Sequence, residues 1–120
     1  MDAVINGVLF LLVVLFIVNR FLPVKGVTQI STQDLKTKLR KKDVQFIDVR
    51  TPGEYTRNHI KTFENIPLHE LAKNAKLLSK EKEVVVICQS GMRSTKATKV
   101  LKKLGFQKIT NVKGGMSAWR

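Results

Sequence analysis

The sequence predicts an α/β sandwich of parallel βα units, preceded by a single membrane-spanning helix. Three observations carry this expectation. From Val27 onward, short apolar stretches alternate with stretches of helical periodicity. One apolar stretch, Val84 to Ile87, has no polar alternation, as expected of a strand covered on both faces. Ahead of these, Ala3 to Val18 is apolar on every side, broken only by Asn6 and Gly7.

With Asn19 to Leu22 added, the N-terminal stretch reaches roughly 20 residues, which at ~1.5 Å rise per residue matches a hydrocarbon core of about 30 Å. It has no polar face, so it does not read as an amphipathic surface helix. A cleaved signal peptide would open on positive charge and close on small residues, whereas Asp2 stands at the start and "NRFLPVKG" follows. The expected division is an anchor over 1–22, a linker over 23–26 marked by Pro23 and Gly26, and one folded domain over 27–120. Arg20, Lys25, Lys36 and Lys38 follow the span, while its N-terminal flank offers Asp2 and the amino terminus. The positive-inside rule then predicts a single-pass membrane protein with its domain on the cytoplasmic side.

Within the domain, Val27 to Ser31 reads as a first strand. Ser31 with Asp34 resembles a capping box that opens a helix, and Leu35 and Leu39 share one face of it. Val44 to Val49 is a second strand, followed by "TPGEY" as a loop or short helix, and Asn65-Ile66-Pro67 closes a third extended piece. Leu68, Leu71, Ala72, Ala75 and Leu78 then fall at helical spacing. After the Val84–Ile87 strand, Ala97, Val100, Leu101 and Leu104 form the buried stripe of a helix beginning near Ser94, which Gly105 is placed to end. "KITNV" supplies a last strand before "KGGMSAW".

Composition narrows the partners. Lys and Arg number 22 against 9 Asp and Glu, a net charge of +13. The basic residues read as solvated helix faces. Aromatic residues are nearly absent among them, which argues against nucleic acid, whereas an anionic lipid surface fits a tethered domain. One cysteine excludes an internal disulfide, and one cysteine with two separated histidines excludes a metal cluster, so no cofactor is expected.

That cysteine, Cys88, lies just beyond the Val84–Ile87 strand, at the carboxyl edge where open parallel sheets form their sites. Free cysteine is also among the most buried residue types, so the apolar run alone allows a plain core residue. The loop Gln89, Ser90, Gly91, Met92, Arg93 changes the balance. Gly91 permits the dihedrals that turn backbone N–H groups toward the sulfur, and the next helix adds its N-terminus near Ser94. Such donors favour the thiolate, the reactive form, and Arg93 is expected to add a fixed positive charge.

Four stretches in order resemble the signatures of a rhodanese domain: "IDVRTPGEYTRNHI" (Ile47 to Ile60), "NIPL" (Asn65 to Leu68), "CQSGMRS" (Cys88 to Ser94) and "VKGGMSAW" (Val112 to Trp119). The resemblance covers residues 27 to 120. It implies a three-layer sandwich with a five-stranded parallel sheet flanked by helices. It further implies that Cys88 takes a sulfane sulfur as a persulfide, from a small anionic donor such as thiosulfate, and passes it to an external thiol or protein acceptor. Gln89, Ser90, Gly91, Met92, Arg93 and Ser94 would form the binding cradle. Asp48, Arg50, Glu54 and His59 would support it, as an acidic–basic network after the second strand. His69 matches no motif, and Trp119 with the Gly114-Gly115 turn reads as packing. Asn58 stands where the family usually has glycine, a small departure because asparagine tolerates a left-handed backbone.

Two other classes compete. Cysteine phosphatases that share this fold place five residues between cysteine and arginine; here four separate Cys88 from Arg93, and Ile87 rather than histidine precedes the cysteine. By resemblance the shorter loop suits one sulfur atom better than a phosphate. A membrane-tethered binding or persulfide-carrier module without turnover is the non-enzymatic alternative, and retention of Cys88 argues against pure binding.

Overall fold

A computed structural model describes residues 1–21 and 24–120; Leu22 at the expected end of the anchor and Pro23 of the linker lie outside them. Helix α1 runs from Asp2 to Phe21, and none of its Asp2–Asn19 stretch is buried. Twenty residues of α-helix reach about 30 Å, so this one helix is long and apolar enough to cross a membrane.

Strand β1 (Val27–Ile30) leads into α2 (Thr32–Lys38), where the Ser31 hydroxyl accepts the Asp34 N–H at 3.1 Å and so satisfies an orphan donor of the first turn. Strand β2 (Val44–Asp48) is followed by α3 (Pro52–Arg57), so "TPGEY" is helical. Thr51 and Glu54 form a reciprocal capping box there, and Pro52 suits the first turn because its missing N–H would have no partner anyway. Next come β3 (Glu64–Asn65), α4 (Leu68–Asn74) with a 3₁₀ turn over Ala75–Leu77, and β4 (Glu83–Ile87). Helix α5 (Met92–Lys103), strand β5 (Ile109–Val112) and a one-turn helix α6 (Gly115–Ala118) complete the chain. Helix α5 opens two residues before the expected Ser94. Its N-cap is Gly91, which takes a left-handed backbone (φ 110°) and makes no side-chain cap, so no Ser or Thr marks the cap position. Helix α6 replaces what reads in sequence as a bare turn.

Among the described residues the five strands form one sheet in the order β1-β5-β4-β2-β3, every pair parallel. Central β4 explains its own sequence. Val84 and Val86 face a core containing Leu71, Ala97 and Leu101 of α4 and α5. Val85 and Ile87 face the opposite core, with Leu35 of α2, Phe63 and Met116 of α6. All four are fully buried, which at about 1.5–3 kcal/mol each makes this strand the main apolar contribution to the sheet. The architecture is the three-layer sandwich with a five-stranded parallel sheet that was expected.

Candidate active site

The register of β2 against β4 pairs Asp48 with Ile87, so the two strands end side by side and their outgoing loops meet. Cys88 is the first residue past β4 and is 1% exposed, packed in the core that faces α4 and α5. Its Sγ receives the Gly91 N–H at 2.9 Å and lies 3.3 Å from the Ser94 hydroxyl oxygen. The Ser94 hydroxyl also lies within donating distance, 3.1 Å, of the Gly91 carbonyl, so it can turn between acting as acceptor for a thiol and donor to a thiolate. Among the described residues Gly91 is the one backbone donor to the sulfur itself. The twelve-residue α5 begins at the next residue and points its positive end at this loop.

The orientation of the loop is set from the far side by α6. The Met116 N–H donates to the Cys88 carbonyl at 2.8 Å, and the Ser117 N–H to the Gln89 carbonyl at 2.9 Å. In a trans peptide the C=O and the following N–H point oppositely, so the N–H groups of Gln89 and Ser90 are turned away from α6. Gly115 makes this approach possible: a Cβ there would stand 2.2 Å from the Cys88 carbonyl oxygen. Sequence reasoning assigned the glycine pair to packing. The signal that was available is a Gly-Gly step one residue after a strand, where the backbone of another segment can come close.

The acidic–basic network expected beside the loop splits into two pairs. Asp48 and Arg50, 0% and 3% exposed, pair through Nε–Oδ1 at 3.0 Å and Nη2–Oδ2 at 2.8 Å. The Arg50 guanidinium also donates to the Asn58 carbonyl at 2.6 Å and to Gln89 Oε1 at 3.3 Å, and Gln89 Nε2 donates to Ser117 Oγ at 3.2 Å. A buried charge therefore ties the end of β2 to the cysteine loop and to α6. Asn65, which the sequence places in a signature but not in this network, donates from Nδ2 to the Asp48 and Arg50 carbonyls, both at 3.0 Å, and fixes the exit of β2.

In the second pair the Arg93 guanidinium, expected as a fixed positive charge, is held by Glu54 in two parallel hydrogen bonds of 2.5 and 2.9 Å, and its charge still acts on Cys88. The β2–β4 register brings the capping turn of α3 beside the first turn of α5, which places Glu54 there. The Arg93 hydrogen bonds, aided by Thr51 and opposed by desolvation, hold the Glu54 carboxyl at about 2, against an ordinary 4.5. The same pair pushes the Arg93 guanidinium up. Because the folded value is depressed, the pair contributes stability above about pH 4.5, and this is lost as pH falls through 2. Glu54→Gln is expected to unfold more easily than the parent at pH 7, with the gap closing between pH 4.5 and 2. Urea titrations across that range test it, and a gap that stays constant with pH would exclude this pair as its source.

The remaining expectations resolve geometrically. Met92 opens α5 with its side chain half exposed, and Ser90 is exposed. His59 does not join the network: it is exposed, its Nδ1 lies 2.7 Å from the Tyr55 carbonyl, and its ring stacks on Tyr55 at 3.9 Å. Its place at the end of α3 lets it close that helix turn, and among the described residues none of its hydrogen bonds reaches Cys88 or Asp48. His69 is exposed beside Glu70.

Fold and site together define a parallel α/β domain built around a cysteine-centred loop at the carboxyl edge of the sheet, with the Gly91 N–H and the start of α5 facing the sulfur. The chain belongs to the Rhodanese-like domain family, matched over residues 31–120. It is 38% identical over 95 residues to "Putative sulfur carrier protein YrkF" of Bacillus subtilis, covering 78% of this chain but only 51% of that protein. It is 32% identical over 94 residues to "Sulfurtransferase" of Allochromatium vinosum, covering 78% of this chain and 88% of the relative. The crystal structure of a rhodanese-like domain protein from Staphylococcus aureus superposes with a TM-score of 0.72 at 35% identity, over 78% of this chain and 91% of that one.

Proposed function

We propose that the chain is a rhodanese-type sulfurtransferase that takes a sulfane sulfur from thiosulfate or a similar anionic donor onto Cys88 and passes it to an external thiol. One observation carries this reading: a lone cysteine sulfur sits at the end of β4, with the Gly91 N–H 2.9 Å away and the start of α5 beside it. The Cys88 thiolate attacks the outer sulfur of thiosulfate, a new S–S bond forms, and sulfite leaves with the electron pair of the old one. The Gly91 N–H, the Ser94 hydroxyl and the helix N-terminus stabilise negative charge on the persulfide. No general base is needed, because nucleophile and leaving group are both anions. The names of the sulfurtransferase and sulfur-carrier relatives support the same chemistry.

The geometry speaks against the phosphatase alternative. A phosphate would require the arginine of the loop, and here Arg93 is committed to Glu54. The test is the intact mass of the full chain, held in a mild detergent, after exposure to thiosulfate. A gain of one sulfur that cyanide removes supports the reading; hydrolysis of an aryl phosphate without that gain overturns it. Repeated turnover with an added thiol separates an enzyme from a carrier that loads once.

We also propose that α1 anchors the protein as a single-pass membrane protein, with the domain in the cytoplasm. The support is the apolar length of α1 and the lysines that follow it. Protease added to inside-out vesicles should remove the domain, whereas protease added to right-side-out vesicles should not. The opposite pattern would reverse the orientation.

A further inference from the structure

Because every strand pair is parallel, the strands all begin at one edge of the sheet, and the cysteine loop lies at the other. The edge where they begin collects positive charge. Lys25 precedes β1, Lys41 and Lys42 precede β2, Lys80 and Lys82 precede β4, and Lys108 precedes β5. All of these are exposed, and none is ion-paired among the described residues. Returning helices end here too, adding Lys76 in the 3₁₀ turn after α4 and Lys103 in the last turn of α5. The loops touch: the Gln107 N–H donates to the Lys80 carbonyl at 3.4 Å, and the Val84 N–H to the Lys108 carbonyl at 2.9 Å. Asp43, Glu64 and Glu81 share this edge but are too few to balance it, and Glu83 is paired with Lys38 at 3.0 Å.

Two further observations point to what covers this edge. From Phe21 at the end of α1 to Val27 at the start of β1, the chain spans at most about 20 Å. Lys102 Nζ donates to the Lys25 carbonyl and pins that incoming segment to the end of α5. An anchor in the bilayer therefore brings this edge, and not the cysteine edge, nearest the lipid. The second observation is Leu77, which is 76% exposed. Around the 3₁₀ turn, Ala75 and Leu78 are three apart and meet the core, so Leu77 projects away from it. It lines one hollow with Lys41 and Lys42. An apolar side chain set among lysines suits the boundary between headgroups and acyl chains.

We propose that this edge docks on anionic phospholipid, with Leu77 entering the interface and the surrounding lysines against the headgroup phosphates. This rests on the reading of α1 as an anchor and adds a fixed orientation to it. A strand rises ~3.3 Å per residue, so the five residues of β4 hold Cys88 roughly 17 Å from the docked edge. That exceeds the ~8 Å over which surface charge acts at physiological salt. The cysteine loop then opens to water, where the headgroups do not repel an anionic sulfur donor.

The experiment uses the full chain in vesicles of phosphatidylcholine alone or mixed equally with phosphatidylglycerol. Alkaline washing shows whether α1 holds the chain in the bilayer, and release at that step counts against the anchoring reading alone. Contact of the edge is read in unwashed vesicles. The probe is Leu77→Trp, compared with the parent, whose one tryptophan is Trp119, and with Met92→Trp on the cysteine edge. Lipids brominated near the headgroup quench an indole that reaches them. The Leu77→Trp signal should be quenched about twofold more in the anionic mixture than in phosphatidylcholine, and high salt should erase the difference. Adding Lys41→Glu with Lys42→Glu should abolish it, whereas Lys41→Arg with Lys42→Arg should keep it. The parent and Met92→Trp should show no such difference. Equal quenching of Leu77→Trp in the two lipids, or an anionic-lipid gain at Met92→Trp instead, would overturn the proposal, leaving the lysines as solvated charges or a surface for an acidic macromolecule.

Discussion

Cys88→Ser is expected to abolish the mass gain from thiosulfate while leaving the protein folded. The two halves of this expectation have separate physical grounds. A serine hydroxyl does not ionise near neutral pH, and oxygen is a far weaker nucleophile toward sulfur than a thiolate, so sulfur transfer should fall by at least roughly 10³-fold. The fold should tolerate the change because the side chain is nearly isosteric and the buried hydroxyl finds partners already in place. The Gly91 N–H would donate to it, and it could donate to Ser94 as the thiol does. The stability cost is then about 1 kcal/mol, a normal figure for exchanging one hydrogen-bonded group for another. Thermal unfolding within a few degrees of the parent, together with no persulfide, is the expected outcome. A serine variant that still gains sulfur would place the acceptor atom elsewhere and remove the basis of the proposed function.

The parts legible in the sequence are those whose signal is local. Val84 to Ile87 announces a central strand because both faces are apolar, and the two cores that its side chains enter are the reason. Ser31 and Asp34 announce the start of α2 because a cap is a contact over three residues. The cysteine loop is legible for the same reason: Cys88, Gly91 and Ser94 make their contacts within seven consecutive residues.

What was not legible depends on contacts between distant segments. Glu54 and Arg93 are 39 residues apart, and only the β2–β4 register brings them together. From sequence, Arg93 is simply a charge near a thiol; in the fold it is also a strut between α3 and α5. His59 shows the converse. It lies in the same motif as Glu54, yet the end of a six-residue helix turns it outward, where it stacks on Tyr55. Helix α6 is four residues long, too short for any periodic pattern, and its role is expressed entirely in backbone hydrogen bonds to Cys88 and Gln89.

That backbone contact yields the second large effect. Gly115→Ala is expected to lower both stability and the rate of persulfide formation, although residue 115 touches no substrate. Two costs add. The backbone at Gly115 has φ 57°, a left-handed conformation that costs a residue with a Cβ roughly 1–2 kcal/mol. The new Cβ would also stand 2.2 Å from the Cys88 carbonyl oxygen and 2.9 Å from the Gln89 carbonyl atoms, all of them backbone with no rotamer to yield. Relieving that overlap costs about 1–3 kcal/mol more. The total, about 2–5 kcal/mol, corresponds to a fall of at least some 8 °C in the unfolding midpoint for a domain of this size. Relief can come only by moving α6 off the loop, which loosens the hydrogen bonds from Met116 and Ser117 and releases the peptide groups they orient. Persulfide formation should therefore slow even well below the unfolding midpoint. Gly53→Ala is the matched control: nothing lies within 4 Å of a Cβ there and its φ is ordinary, so the change should be neutral or slightly stabilising. Equal midpoints for the two alanine variants would show that α6 does not clamp the loop.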